Sequence, residues 1–413
     1  MIERLTRRRW PWLLLALLVR VAFALKLGDR QCQIDELGYR ATALQLAATG
    51  LLGSAGHATT GPPVPAAFFA ACFQLGPRLL WPRLAQAFVG VWVAFAIGGM
   101  TEELSGSRLA GRLALIVAAV YPFFIYYGGM VLSETLDLAL LIPGLWWLCS
   151  SLGAGTGAGA GRAAAAGLML SLAGLCRSEG VFIAAGIWAA ATIACAAGRW
   201  RARAWLFALA CWLLPLLLWC ARNRAQLGAF TLDTHAGITL LHGSEFLELN
   251  QVDTSLAQEA IERSPFYARA RHLPAAQLNR ALLRQAGRFM LDHPGLTLRQ
   301  WAYKLLQFWR FYPRLDKVYA RSPYNRPAAG YPRWSLVAIS LLFEPWLILG
   351  GLWGLWRLRR RWTALFPLYL WVLGTTAIHV VSVSQMRYRL PIMPALILGA
   401  AAALAARLER RPS

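Results

Sequence analysis

Five short stretches carry polar residues suited to handling protons and phosphates, and each abuts an apolar run. Gln33 to Arg40 holds the adjacent acids Asp35 and Glu36 and the phenol of Tyr39. Ser133 to Asp137 holds Glu134 and, one helical turn on, Asp137. Arg177 and Glu179 share a short turn, Asn223 lies between Arg222 and Arg224, and Tyr388 lies between Arg387 and Arg389. A carboxylate at the edge of a membrane is costly unless water, a cation or a substrate meets it. An acid so placed can take up a proton. A planar guanidinium stays charged and pairs two oxygens of one anion. Blander readings stand beside these. Asp35 and Glu36 could be solvated loop acids, Arg177 and Glu179 could simply pair at a surface, and Arg222 and Arg224 could anchor an interface by snorkelling. His57, His235 and His242 match no zinc spacing, and a divalent cation is left as an open possibility.

The elements that must position these residues are membrane helices. Of the 413 residues, 58% are hydrophobic and only 15% charged, against about 45–50% and about 25% in soluble domains. Runs of roughly 17–25 apolar residues, the length needed to cross a bilayer, predict an all-α polytopic protein with about ten spans. They fall at 10–28, 84–101, 109–127, 131–150, 163–176, 180–197, 204–221, 335–356, 363–383 and 390–407. Residues 64–80, punctuated by proline, predict a helix lying at the interface. The chain then divides into a core at 1–221 with a first polar loop at 29–83, a large polar loop at 222–334, and the last spans at 335–413. Within the large loop, Leu278–Leu291 and Thr297–Phe311 predict helices separated by a stop at Pro294 and Gly295, which together cap the bundle. Gly153 to Gly159 reads as a flexible linker.

Arginines occupy the short connections before span one and after spans two, six and eight, and they also end the chain. With ten spans all of these fall on one side, which the positive-inside tendency makes cytoplasmic, with both termini there. The acids then collect on the opposite face. The net charge of +23 is accounted for by this placement and by contacts with the lipid bilayer, and nucleic acid is excluded as a partner. Arg7 to Arg9 ahead of an apolar run resemble a signal peptide, but Arg20 interrupts the run and many spans follow, so an uncleaved first helix is expected. The seven cysteines form no CxxC pair and are expected to be free thiols.

Several segments, taken in order, resemble the dolichyl-phosphate-mannose protein mannosyltransferase-like family, to which lipid A aminoarabinose transferase is related. They are Asp35-Glu36-x-x-Tyr39 with Thr49-Gly50, the proline-rich Gly61 to Pro65, Tyr121-Pro122 through Ser133-Glu134, Arg177-Ser178-Glu179-Gly180 with Ser replacing the family's Pro, Arg222-Asn223 through Gly228, and Arg387 to Pro391. The resemblance implies a GT-C fold and a sugar donor on a polyprenyl phosphate. It also implies a first-loop aspartate, here Asp35, as the catalytic base of an inverting transfer to a glycan, lipid or protein acceptor on the periplasmic face of a bacterial inner membrane. One base suffices for a single displacement, unlike the two carboxylates of retaining hydrolases. Glu36 and Glu134 are expected as further acids, with Asp137 the alternative to Glu134. Arg387, Arg389, Arg177, Arg222 and Tyr388 are expected around the donor phosphate, and Tyr39, Glu179 and Asn223 against substrate. The rival readings are a flippase or transporter of lipid-linked sugars, and a ligase or polymerase of lipid-linked glycans.

Overall fold

The computed structural model describes residues 8–33, 35–52, 61–153, 160–196, 198, 201–246, 254–312 and 333–410. His57, most of the glycine-rich linker and the last part of the large polar loop lie outside them. In chain order the helices are α1 Trp10–Leu27, α2 Asp35–Thr49, α3 Pro63–Phe73, α4 Leu80–Ser105, α5 Arg108–Val120, α6 Pro122–Gly128, α7 Glu134–Gly153, α8 Ala160–Gly174 and α9 Glu179–Ala196. There follow α10 Ala202–Leu227, α11 Ala236–His242, α12 Thr254–Arg263, α13 Pro265–Ala270, α14 Ala275–Asp292, α15 Pro294–Phe308, α16 Arg333–Arg357, α17 Trp362–Val381 and α18 Met393–Leu408. No strand occurs among the described residues.

Among the described residues seven segments are long and apolar enough to span a membrane, or eight if α5 and α6 count as one bent span. One of them, 337–381, is 45 residues long, and it is a hairpin rather than one rod. The Tyr369 hydroxyl donates to the Leu355 carbonyl at 2.8 Å. In a straight helix residues so far apart would be about 21 Å distant, so the chain reverses at the 3₁₀ turn Leu358–Arg361. Each arm is then a span. The fifth expected span, 163–176, is α8, which has only 15 residues, about 22 Å at the helical rise, too short to cross alone. It is sheltered by α7 and α10, and its Gly167 lets the α10 backbone approach, since a Cβ there would run into the Ala208 carbonyl.

Caps and breaks follow local sequence. Gly106 at φ +75° and Gly228 at φ +68° end α4 and α10 in the left-handed region that only glycine enters freely. The Ser107 hydroxyl accepts the Ala110 N–H at 3.1 Å and starts α5. Pro122 has no N–H to offer the Ala118 carbonyl, so α5 and α6 meet at 48°. The buried Arg20 of α1 supplies the missing donors, to Ala118 O at 3.1 Å and Ala119 O at 2.7 Å. Gly90 makes room for it, since a Cβ there would stand 2.6 Å from Arg20 Nε.

The expected interfacial helix is shorter than predicted, Pro63–Phe73. It packs Phe69, Ala70 and Phe73 against α2, and the chain turns at Gly76 (φ +128°) before α4. Helices α11 to α14 have a small core of their own, Leu241, Ile261, Leu282 and Ala286, and α15 puts Phe308 into the main core. They dock on the bundle through Lys304. Its ammonium is buried and donates to Gly243 O (2.9 Å), Val381 O (2.7 Å) and Ser382 O (2.9 Å). Two of these carbonyls end α17 and the third follows α11, so one cation meets the negative ends of two helices. All seven cysteines are free.

Candidate active site at one end of the bundle

The helix ends sort into two groups. Arg9 with Glu102, Ser107 with Glu409 (2.8 Å) and Arg361 with Leu104 O (3.1 Å) tie one end together. The first turn of α2, the start of α7, the α8–α9 turn and the 3₁₀ turn Met386–Ile392 before α18 meet at the other.

At that end five expected residues form one charged chain. Arg387 Nη1 donates to Asp35 Oδ2 at 2.5 Å, and its Nε donates to Glu134. Arg177 Nη1 reaches the same Glu134 oxygen at 3.2 Å, and its Nη2 pairs with Glu179 at 2.6 Å. Exposure is least in the middle: the side chain of Asp35 is 46% exposed, that of Arg387 10%, that of Glu134 2%, that of Arg177 12% and that of Glu179 30%. The most exposed acid of the chain is therefore Asp35. Burial opposes charge on Arg177, but the neighbouring Glu179, Glu134 and Asp137 outweigh it and hold the guanidinium firmly protonated. Arg387 Nη2 has no protein acceptor among the described residues.

Aromatic rings floor the cluster. Tyr388 stacks on His379 with centroids 4.7 Å apart and planes within 3°, and His379 stacks on Phe308 of α15 at 5.9 Å. Arg177 lies 5.9 Å above the Tyr388 ring. Tyr39 sits edge-on to Phe69 at 5.9 Å, where burial and the charge of Glu134 push its phenol pKa up.

Four expected site residues are placed elsewhere. Glu36 points inward and is saturated: Oε1 accepts Arg83 Nη2 and Val131 N, both at 2.9 Å, while Oε2 accepts Cys32 N at 2.6 Å and Gln33 N at 3.0 Å. All four acceptor positions of a carboxylate are then used, leaving none for a proton or a cation. Arg389 is buried against Glu344 of α16, whose other oxygen takes the Tyr121 hydroxyl, and donates to Phe308 O (2.6 Å) and Arg310 O (2.8 Å) at the end of α15. It fastens α15 rather than facing the cluster. Asn223 bonds Thr231 O at 2.7 Å and shapes the turn after α10. Arg222 stacks 4.9 Å over Trp219 and donates to the Leu52 carbonyl.

Sequence reading missed Arg83, Lys304 and Glu344. The signal was present for Glu344, an acid inside an apolar run. Among the described residues no group of three or more His, Cys, Asp or Glu is placed to hold a metal ion. Glu36 is filled and Glu134 is held by two guanidiniums, so neither is open to a cation.

No protein-family model matches the sequence, and no curated protein sequence matches it. Among solved structures, 97% of the chain is similar in fold to the archaeal oligosaccharyltransferase AglB from Archaeoglobus fulgidus, determined with an inhibitory peptide and a dolichol-phosphate, at a TM-score of 0.50 and 14% identity. The chain spans half the length of that protein. It also overlaps ArnT from Cupriavidus metallidurans, bound to undecaprenyl phosphate, over 97% of this chain and 60% of that one, at a TM-score of 0.45 and 16% identity. At such identity the likeness to AglB is one of fold. The chain is a polytopic, all-helical membrane protein with a GT-C-like fold, as the motif order implied.

Proposed function

We propose that the chain is an inverting glycosyltransferase that moves a sugar from a polyprenyl-phosphate carrier to an acceptor at the Asp35 end of the bundle. The observation that carries this reading is the pairing of a half-exposed acid, Asp35, with a mostly buried arginine, Arg387, at the end of a membrane bundle. An arriving donor phosphate competes with Asp35 for Arg387, using the guanidinium fork and its unengaged Nη2. That exchange frees Asp35 to take the proton of the acceptor hydroxyl as it attacks the anomeric carbon. Glu134 holds both arginines in register, and the electrostatic support of the leaving phosphate is worth about 2.7–4 kcal/mol per donor in comparable sites. The dolichol-phosphate bound in the AglB structure is a lipid phosphate of the class this reading calls for. The arginine placement agrees with a periplasmic Asp35 end and with both termini in the cytoplasm.

Helices α11 to α15 cover the acceptor approach in this reading. The likeness to an oligosaccharyltransferase keeps one alternative in play, transfer of a whole glycan from a diphosphate carrier. Mass spectrometry of envelope glycans and polyprenyl lipids, with and without the gene, separates the two. Accumulation of a monosaccharide phosphate lipid supports the proposal, accumulation of a diphosphate-linked oligosaccharide supports the alternative, and no change in either pool removes both.

A further inference from the structure

A small cavity of about 10 Å³ lies directly under Arg177, room for one water or one hydroxyl. Its walls are mostly apolar, with Asp137, Arg177, Glu179, Thr375 and His379 supplying the polar groups. Trp371, Thr375 and His379 follow one another at four-residue intervals on α17, so they form a stripe down one face. Trp371 Nε1 and Thr375 Oγ1 are buried without a hydrogen-bond partner among the described residues. Opposite them stands Asp137 of α7, 3% exposed, whose carboxylate takes no hydrogen bond among the described residues. Each such group left unmet costs about 1–3 kcal/mol, and the residues that carry all three line the same space.

The inventory of those groups defines the occupant. The indole offers only a donor, the threonine hydroxyl offers a donor and acceptors, and a carboxyl group keeps acceptor oxygens in either protonation state. A phosphate oxygen, which only accepts, would answer the indole and leave the carboxyl oxygens unmet. An ammonium would answer the carboxylate and clash with the indole N–H. A hydroxyl meets all of them, accepting from Trp371 and donating to Asp137.

We infer that this cavity is a hydroxyl-recognition subsite for the transferred sugar, holding water until a sugar hydroxyl displaces it. The inference rests on the proposed donor chemistry, because a phosphate held at Arg387 and Arg177 would set its sugar beside the cavity mouth. Asp137, Thr375 and Trp371 are then specificity-determining residues rather than members of the proton-transfer machinery.

The test uses the full chain in lipid nanodiscs and two probes: radiolabelled undecaprenyl phosphate, and a set of undecaprenyl-phosphate-linked hexoses and pentoses. Thr375→Val and Trp371→Phe each remove one hydrogen-bonding group at almost constant shape. Each is expected to weaken the preferred sugar lipid about tenfold, in line with one lost hydrogen bond, and to leave undecaprenyl phosphate within about twofold. Unchanged binding of the sugar lipid would mean that the cavity holds only water and would overturn the subsite. So would an equal loss for both probes, or a wild type that prefers no sugar. A wild type that binds neither lipid would bring down the donor reading, and the subsite with it.

Discussion

Arg387 Nη1 lies 2.5 Å from Asp35 Oδ2, joining two residues 352 positions apart. Asp35 is half exposed while Glu134, on the same arginine, is buried, so their removal should have different consequences. Asp35→Asn is expected to lower transfer by about 10²–10⁴-fold, the usual worth of a positioned base, with little change in protein level or thermal midpoint. Glu134→Gln leaves two guanidiniums without their shared acid and should cost about 3–5 kcal/mol of stability as well. Transfer assays in membranes and thermal unfolding in detergent read the two effects, and an Asp35→Asn variant with full transfer would refute the assignment of the base.

Glu36 neighbours Asp35 in sequence yet belongs to the scaffold. Its ion pair with Arg83 is fully buried on both sides. Glu36→Ala should therefore destabilise by about 3–5 kcal/mol, because it strands a buried guanidinium. Loss of folded protein before purification is the expected signature. A well-folded Glu36→Ala protein that fails only in turnover would instead return Glu36 to the chemistry.

Lys304 predicts a pH dependence. Burial brings its pKa down to about 7 from 10.5 in the open chain. Between those values the unfolded chain carries the extra proton, so stability should rise with pH across that window and be flat below it. Lys304→Met should abolish this slope. It should also lower the midpoint at every pH, since three carbonyls lose their donor. Unfolding curves from pH 6 to pH 10, roughly the titration window that linkage defines, compare the slopes directly.

The last spans pack backbone to backbone. A Cβ at Gly354 of α16 would collide with the Gly399 carbonyl of α18. Gly354→Ala should force those helices apart and cost about 1–3 kcal/mol. At Gly186 of α9 an added Cβ would meet nothing within 4 Å, and Gly186→Ala should be neutral or stabilise by about 0.4–1 kcal/mol. Thermal midpoints of the pair give the comparison.

Much of this was legible in the sequence, because a bilayer imposes length and charge rules that local composition reveals. The spans, the α14–α15 break and the meeting of Asp35, Glu134, Arg177, Glu179 and Arg387 followed from apolar runs and ordered motifs. What was not legible is which way a side chain turns. Glu36 and Asp35 differ by one step on a helix, about 100°, and Arg83, 47 residues away, decides that Glu36 faces inward. Arg389 and Arg387 are separated by only Tyr388, yet Glu344 and the end of α15 claim one and the acid chain claims the other. Such choices depend on partners distant in sequence. Lys304 gave no local signal, since only the docked helices create its three carbonyls.

The acid chain draws its members from three stretches far apart in the sequence, at 35, at 134–179 and at 387. Glu134 and Arg177 emerge close together and can find each other while the ribosome is still adding spans. Asp35 must wait for the final hairpin to insert before its arginine exists. A nascent chain that stops short of Arg387 thus carries no assembled acid chain.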